Sequence, residues 1–261
     1  MKTYKALFLD MDGTIIRPDQ TIEESTKEAV FTAQEKGIEV FLATGRPIHE
    51  IHIFAEMLNI QSFIGYNGAL SSYKGKELYK KPISTTIVEN IVNVANEKQH
   101  QLVLYTSSEN YFSNLNTPFV KKFIETIHLK RNQTITPEMY KDVLGITIIA
   151  NEESDEHYYR IDNGIHLSQV NIEGMGFCFD VIRDSVNKGV GVKHVLKYLG
   201  ISQDEAIAFG DGMNDKEMLE TVGEGFAMGN AHPDLFSYAN RKTTNVTNSG
   251  VYNGLKSLGL T

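Results

Sequence analysis

Short apolar runs that end in polar or glycine-containing segments alternate with helix-like stretches in the first and last thirds of the chain. A short run of apolar residues without alternation is typical of a strand that is covered on both faces, as in a parallel sheet. Strands that alternate with helices predict an α/β fold with a doubly wound parallel sheet. These runs cover residues 6–9, 38–43, 63–66, 206–209 and 226–228.

The middle of the chain has a different pattern. Residues 102–105, 145–149 and 177–182 form separate strand-like segments, and apolar residues recur at helical spacing over 87–95. A helix with one apolar stripe covers one face of an antiparallel sheet. We therefore predict an inserted α+β domain over residues 82–184, between a first core segment, 1–81, and a second, 185–261.

Composition limits the function classes. The 261 residues are 41% hydrophobic, which is sufficient for a large core, and carry a formal net charge of −8. No apolar stretch reaches the roughly 18 to 20 residues of a membrane helix, and no export signal is visible. The single Cys178 forms no internal disulfide and is expected to pack as a small hydrophobe. We expect a cytoplasmic protein that binds neither membranes nor nucleic acid, since affinity for nucleic acid needs clustered basic residues.

The candidate chemistry begins directly after the first apolar run, at Asp10-Met11-Asp12-Gly13-Thr14. Ligands of parallel sheets bind beyond the carboxyl ends of the strands, and Gly13 allows a sharp turn that brings both carboxylates to one site. A local Asp-rich turn is the alternative. A calcium loop is disfavoured, because its sixth and twelfth positions hold Ile15 and Thr21 instead of Gly and Glu. Thr21 and Glu24 instead predict a capping box before the next helix.

Four carboxylates fall at predicted strand ends, where one sheet edge can gather them: Asp10, Asp12, Asp211 and Asp215. Clustered oxygen ligands favour Mg²⁺ over Zn²⁺, which normally recruits His or Cys. Lys188 opens a predicted helix that Gly200 closes, so its ammonium can lie beside the acidic cluster. His49 and His52 are three residues apart on a predicted helix but lack a third ligand nearby, and we interpret both as solvated.

With these residues together, the chain resembles the haloacid dehalogenase-like (HAD) hydrolase superfamily. Its four motifs match, in order, Asp10 to Thr14, Thr44-Gly45-Arg46, Lys188 and Gly210 to Asp215. The insertion between the second and third motifs resembles the type IIB cap of the Cof-type phosphatase branch. Asn67-Gly68-Ala69 and residues 227–231 resemble further elements of that branch. The resemblance covers essentially the full length and implies a HAD-like Rossmannoid core with an inserted α+β cap.

The resemblance implies a role for each matching residue. Asp10 is the expected nucleophile, Asp12 the acid and then base, and Lys188 the charge partner. Mg²⁺ is expected on the Asp10 carboxylate, the Asp12 carbonyl and Asp211, with Asp215 either a supporting ligand or a carboxylate behind the ligands. Phosphoryl oxygens are expected at Thr44, Gly45 and Asn214. Arg46 either joins this set or anchors the cap, and the sequence leaves both open.

The resemblance also implies a Mg²⁺-dependent phosphatase that acts on small phosphomonoesters, sugar phosphates by default, through an aspartyl phosphate. The cap is expected to select the leaving group and to move about hinges near Pro82 and Asp184. A phosphotransferase or mutase that uses the same intermediate is one alternative, and a phospho-accepting signalling module is another. The order of the motifs argues against the signalling module, and a noncatalytic binding protein is disfavoured by the intact acidic set. A monomer or weak homo-oligomer is expected.

Overall fold

A computed structural model describes residues 3–170 and 174–261. The described chain divides into two compact units. Unit 1 contains residues 3–46, 51–80 and 187–261, and unit 2 contains residues 47–50, 81–170 and 174–186. The division assigns the short segment 47–50 to unit 2, although its neighbours on both sides belong to unit 1. The domain boundaries at residues 82 and 184 stay a prediction.

The strands of the described residues are numbered in chain order. They are β1 (Ala6–Leu9), β2 (Glu39–Ala43), β3 (Phe63–Gly65), β4 (Leu70–Tyr73), β5 (Lys76–Lys80), β6 (Gln101–Tyr105), β7 (Asn110–Phe112), β8 (Asn132–Thr134), β9 (Gly145–Ile149), β10 (Ile165–Gln169), β11 (Cys178–Arg183), β12 (Ala206–Gly210), β13 (Glu224–Ala227) and β14 (Arg241–Lys242).

The α-helices of the described residues are numbered in the same way. They are α1 (Glu24–Glu35), α2 (His52–Met57), α3 (Thr85–Lys98), α4 (Pro118–Ile127), α5 (Lys188–Leu199), α6 (Lys216–Thr221) and α7 (Gly250–Ser257). No helix in this part of the chain combines the length and apolar character needed to span a bilayer.

Unit 1 is built on an eight-stranded sheet in the order β14-β13-β12-β1-β2-β3-β4-β5. The strands from β14 to β3 are parallel, and β4 and β5 extend the edge as an antiparallel hairpin. This sheet confirms the predicted α/β class with a parallel core. Because β1 pairs with β2 on one side and β12 on the other, the carboxyl ends of these three strands meet at one edge.

Both faces of β1 are covered, as its unbroken apolar run predicts. Leu7 and Leu9 belong to the core that also includes residues of α1 and α7, whereas Ala6 and Phe8 belong to the core with α5 and α6. All four residues have no solvent exposure. Phe8 stacks on Phe41 of β2 with ring centroids 5.1 Å apart. Aromatic contacts of this kind add to the free energy gained by burying apolar area.

Unit 2 contains a six-stranded sheet in the order β10-β11-β9-β6-β7-β8, antiparallel except for the β7 and β8 pair. One core joins α3 with Leu102, Leu104 and residues of β9, and a second joins α4 with Val103 and Cys178. Cys178 is fully buried, and burial raises the pKa of its thiol to about 12. Its expected role as a small hydrophobic residue agrees with this position.

Two local predictions are wrong. Thr21 does not cap α1, because its hydroxyl donates to Asp19 and the helix begins at Glu24 after the N-cap position Glu23. His49 is not solvated, because its ring is buried and its Nε2 lies 2.9 Å from Oδ1 of Asn110 within unit 2. His52 is exposed, as predicted. In both errors a tertiary or turn contact outweighs the local pattern.

A histidine in unit 2 makes its stability depend on pH. His100 is buried, with Nδ1 2.8 Å from the hydroxyl of Tyr159 and Nε2 3.1 Å from Asp155. Burial lowers the pKa of His100, and the attraction of Asp155 opposes this only in part. The unfolded chain therefore binds a proton more readily than the native state once the pH falls toward the ordinary histidine pKa of about 6.5.

We predict that the contribution of His100 to stability is fully present above about pH 7 and is lost as the pH falls through roughly 6.5 toward the lowered native pKa. The melting temperature of the wild type should therefore fall more between pH 7 and 5 than that of a His100→Asn variant. His52→Asn, an equal change at an exposed position, is the control. Equal slopes for the wild type and His100→Asn would contradict the prediction.

Candidate active site

Three strand ends position the predicted site residues of unit 1. Asp10 follows β1, and its backbone N–H donates to the carbonyl of Phe209 at 3.0 Å. Thr44 follows β2, with its N–H 2.8 Å from the carbonyl of Ile64, and Asp211 follows β12. The sheet ladder thus continues one residue past β1 and β2 and fixes where the Asp10 and Thr44 side chains begin.

A buried ammonium group connects two of the carboxylates. Lys188 Nζ lies 2.5 Å from Oδ1 of Asp10 and 2.6 Å from Oδ1 of Asp215. The Lys188 and Asp215 side chains have no solvent exposure, and that of Asp10 has 8%. Charge-assisted hydrogen bonds of this length are strong, and each partner compensates for the desolvation of the other.

Helix α5 begins at Lys188 for reasons that the sequence supplies. The side chain of Asn187 caps the helix by accepting from the N–H of Val190 at 2.9 Å. Gly189 allows the helix to approach α6, since a Cβ there would lie 2.5 Å from the carbonyl of Glu217. Gly200 ends the helix in the left-handed conformation, as predicted. These features hold the lysine at the base of the site.

Asp215 also holds the loop that carries Asp211. Its Oδ2 accepts the N–H groups of Asp211 at 3.0 Å and Gly212 at 3.1 Å, while Oδ1 accepts from Lys188. Three of the roughly four lone-pair positions of this carboxylate are therefore in use. This arrangement favours a carboxylate that orients its neighbours over one that contributes freely to a metal site.

Burial and mutual repulsion change the proton affinities of the cluster. The pKa of Asp211 is raised by desolvation and by the charges of Asp10 and Asp215. Desolvation and Asp10 also raise the pKa of Asp215, against the attraction of Lys188. Burial works against the charged form of Lys188, but Asp10 and Asp215 outweigh it and raise the pKa of the lysine. The cluster thus holds more negative charge than one ammonium neutralises.

The Asp211 carboxylate is held by Thr14 of the loop after β1 and by Asn230 of the loop after β13. Asn230 Nδ2 donates to the carbonyl of Gly13 at 2.8 Å and to Oδ2 of Asp211 at 3.3 Å, and Thr14 Oγ1 lies 3.4 Å from Oδ1 of Asp211. Gly13 has φ +80°, and a Cβ there would lie 2.1 Å from Oδ2 of Asp211. Only glycine fits both conditions. Asn230 was not among the predicted site residues, although its position after β13 was a usable signal.

Asp12 and Arg46 form a separate pair. The Nε atom of Arg46 donates to Oδ2 of Asp12 at 2.8 Å, and a second guanidinium nitrogen contacts Oδ1. The Asp12 side chain is 51% exposed, so its carboxylate belongs to the rim of the site and not to the buried cluster. Arg46 therefore has a carboxylate partner within the site.

The remaining predicted residues lie on two neighbouring loops. Thr44 Oγ1 accepts the N–H of Arg46 at 3.0 Å and shapes the turn that contains Gly45. Asn214 is exposed, and its Nδ2 donates to Oδ1 of Asn67 at 3.0 Å. The side chain of Asn67 also lies beside Gly45, where a Cβ would be 3.1 Å from its Oδ1. Asn67 was noted in the sequence only as part of a resembling segment.

The donor set suits a hard divalent cation. Carboxylate oxygens of Asp10, Asp211 and Asp215 lie within 4.8 Å of one another. All three residues offer carboxylate oxygens as ligands. The three carboxylates share a single ammonium, which leaves negative charge uncompensated. Mg²⁺ prefers oxygen ligands and usually keeps several waters, so a site with few protein ligands fits it. Asp10 and Asp211 are the better placed ligands, because the oxygens of Asp215 are already engaged.

Comparison with known proteins agrees with this geometry. The haloacid dehalogenase-like hydrolase profile matches residues 7–255. The YkrA protein of Bacillus subtilis (strain 168) is 31% identical over 259 residues, which cover 98% of each chain. From the same strain, 5-amino-6-(5-phospho-D-ribitylamino)uracil phosphatase YitU is 26% identical over 262 residues and 95% of each chain. The solved HAD subclass IIB sugar phosphatase BT4131 superposes with a TM-score of 0.83 at 27% identity and covers 98% of this chain and 100% of its own.

The chain belongs to the haloacid dehalogenase-like hydrolase family. The resemblance predicted from the four motifs, including its subclass IIB branch, is therefore confirmed, and the protein is a phosphatase by class.

We predict that Lys188→Met destabilises the fold by about 3–5 kcal/mol at pH 7, because it leaves buried carboxylates without their cation. Without the ammonium the native pKa of Asp215 rises further above its unfolded value, so the native state binds more protons. The variant should therefore regain stability, relative to wild type, as the pH falls from 7 to 5.5. Chemical denaturation at both pH values measures this.

Lys193→Met is the matched control, since Lys193 lies on the exposed side of the same helix. It should change stability little at either pH. A Lys188→Met protein as stable as this control would contradict the role given to the buried ammonium.

Proposed function

We propose that the protein is a Mg²⁺-dependent phosphatase of small phosphomonoesters that uses Asp10 as its nucleophile. The observation that carries the proposal is the Asp10 carboxylate, held at the end of β1 by Lys188 beside Asp211 and Asp215. A nucleophilic carboxylate divides the displacement at phosphorus into two easier steps. The family membership and the phosphatases among the relatives support the reaction class.

In the first proposed step an Asp10 oxygen forms a bond to phosphorus as the bond to the leaving alcohol breaks. Asp12 donates a proton to the departing oxygen. In the second step Asp12 takes a proton from water, the water oxygen bonds to phosphorus, and the aspartyl bond breaks to release inorganic phosphate. Lys188 keeps Asp10 positioned throughout by its hydrogen bond to Oδ1. Thr44, Gly45 and Asn214 hold the phosphoryl oxygens.

The pairing of Asp12 with Arg46 affects these two proposed steps. The guanidinium of Arg46 occupies both carboxylate oxygens of Asp12, so Asp12 cannot reach a leaving-group oxygen while this contact is made. We propose that an incoming phosphoryl group draws Arg46 away from Asp12, so that Arg46 joins the phosphate-binding set. The anchoring role for Arg46 stays the alternative.

Asp10, the backbone carbonyl of Asp12 and Asp211 would hold Mg²⁺, with Asp215 supporting them from behind. When bound, the ion would neutralise charge on the phosphoryl oxygens and on the nucleophile. The chain itself supplies the orientation of these ligands through Asn230, Thr14 and Asp215.

The proposed substrates are sugar phosphates or similar phosphometabolites. YitU and BT4131 are named for a phosphorylated ribityl compound and for sugar phosphates, and both match nearly the whole chain. Within this proposal unit 2 is the inserted cap domain, with boundaries at residues 82 and 184. We propose a cytoplasmic protein that acts as a monomer or weak homo-oligomer.

We predict that Asp10→Asn lowers kcat for a generic aryl phosphate by several orders of magnitude, because the amide is a far weaker nucleophile. Release of inorganic phosphate measures this. Asp162→Asn is the matched control, since Asp162 is exposed and its turn contact with the N–H of Gly164 survives the change. Added sugar acceptors distinguish a phosphatase from a phosphotransferase. A phosphotransferase would release less inorganic phosphate, because phosphorylated acceptor would form instead. Undiminished turnover by Asp10→Asn would refute the nucleophile.

We predict that Mg²⁺ raises the melting temperature of the wild type and that Asp211→Asn removes most of this shift, since it deletes a proposed ligand charge. Chelation should abolish phosphate release, and added Mg²⁺ should restore it. Asp234→Asn, at an exposed position on a separate turn, should keep the full shift. An Asp211→Asn protein with an unchanged Mg²⁺ shift would remove Asp211 from the ligand set.

A further inference from the structure

The turn after β3 has an unusual backbone. Tyr66, Asn67 and Gly68 have φ values of 53°, 52° and 99°, so three successive residues are left-handed. Only Gly68 adopts such a conformation without cost, and Asn tolerates it better than Tyr does. Strained backbone persists only where the surrounding structure holds it, and it is frequent at functional sites. The contacts of the turn show what holds it.

Asn67 contacts both loops that carry the proposed phosphate ligands. Its N–H donates to the carbonyl of Thr44 at 3.1 Å, and its side chain lies over Gly45. Its Oδ1 accepts from Nδ2 of Asn214 at 3.0 Å. One residue thus links the loop after β2 to the loop after β12. Asn67 and Asn214 themselves are 147 positions apart in the chain.

Gly68 fixes the same turn against a third segment. A Cβ at Gly68 would lie 2.0 Å from the carbonyl oxygen of Asn187 and 3.2 Å from the backbone nitrogen of Lys188. The turn therefore packs directly on the start of α5, where the buried ammonium originates. Helix α5 sets the position of the turn, and the contacts of Asn67 fix the two loops relative to the turn.

We propose that Asn67 is a positioning residue for the transferred phosphoryl group, acting through Asn214. Asn214 is exposed and its carboxamide is otherwise free to rotate. The hydrogen bond to Asn67 uses one N–H of Nδ2 and fixes the plane of the amide, so that the second N–H has a defined direction. Donors fixed in advance lose less entropy when an anion binds. The inference rests on the proposed function and adds a residue that the motif pattern did not assign.

Asparagine meets two requirements at this position without adding a charge. Its short side chain tolerates the left-handed backbone, and its carbonyl oxygen accepts the bond from Asn214. Glycine supplies the backbone without the acceptor. Aspartate supplies both but adds a negative charge beside a site meant for a phosphate dianion. Asn67→Gly is therefore the substitution that removes the positioning contact and leaves the turn unstrained.

The test compares wild type with Asn67→Gly by calorimetric titration with inorganic phosphate in Mg²⁺ buffer and by steady-state kinetics with an aryl phosphate. Loss of one neutral hydrogen bond corresponds to roughly a three- to tenfold effect. We expect phosphate affinity to fall by about that factor, and KM to rise by about as much while kcat changes less. The melting temperature should stay close to that of the wild type, because glycine accepts the left-handed backbone.

Asn59→Gly is the matched control. Asn59 has φ 51° and is exposed after the end of α2, so it undergoes the same chemical change at the same backbone conformation. It should leave phosphate affinity, KM and kcat unchanged. An equal effect of both variants would assign the loss to the backbone and overturn the inference.

A double-mutant cycle with Asn214→Ala distinguishes action through Asn214 from a separate role. If Asn67 acts through Asn214, Asn67→Gly should have little further effect on phosphate affinity in the Asn214→Ala background. Additive effects would overturn the inference, as would an Asn67→Gly affinity equal to wild type.

Phosphate binding is measured without turnover, so the two proposals fail separately. A wild type that binds phosphate but hydrolyses no phosphomonoester would refute the proposed function, while the cycle still decides the role of Asn67. A wild type that does not bind phosphate would refute both.

Discussion

The buried contact of Lys188 with Asp10 and Asp215 is the constraint on which the site depends. An isolated ammonium at this depth would lose its proton, and two isolated carboxylates would gain theirs. Together they stabilise one another, because each charge replaces the water that the others have lost. The contact joins residues 178 positions apart in the chain, so it forms only when the parallel sheet and α5 are both in place. Local structure and tertiary structure are therefore coupled at this point.

The central position of β1 explains why the other site residues can reach this contact. With β2 and β12 as its neighbours, β1 places its own carboxyl end between the loops that follow both strands. The side chains of those loops then restrain one another. Asp215 accepts from the backbone that carries Asp211, Asn230 spans from Gly13 to Asp211, and Asn67 spans from Gly45 to Asn214. The site is a set of loops held by short polar contacts on a rigid sheet.

The sequence was informative where one simple rule applied. Unbroken apolar runs predicted the buried parallel strands, and the common edge of such strands predicted that Asp10, Asp211 and Lys188 meet. The order of the motifs predicted the family, and that prediction is confirmed. The roles of the individual residues stay predictions.

The remaining features depend on partners that the sequence does not reveal. Nothing near His49 in the chain indicates Asn110. Thr21 differs, because Asp19 is a local competitor for its hydroxyl two positions away, which the capping pattern did not take into account. Asn67 carries no local sign of its left-handed backbone, which becomes meaningful only beside Gly45, Asn187 and Asn214. The pairing of Asp12 with Arg46 is likewise a tertiary contact between two motifs, and neither motif alone predicts it.

The buried state of Cys178 has a practical consequence. A thiol that is enclosed by apolar side chains and has a pKa of about 12 offers almost no thiolate to alkylating reagents at neutral pH. The native thiol should therefore react very little with maleimide reagents. One cysteine introduced on the surface of each unit can carry a fluorophore or spin label without first replacing the native one, so the distance between the two labels can be measured in solution.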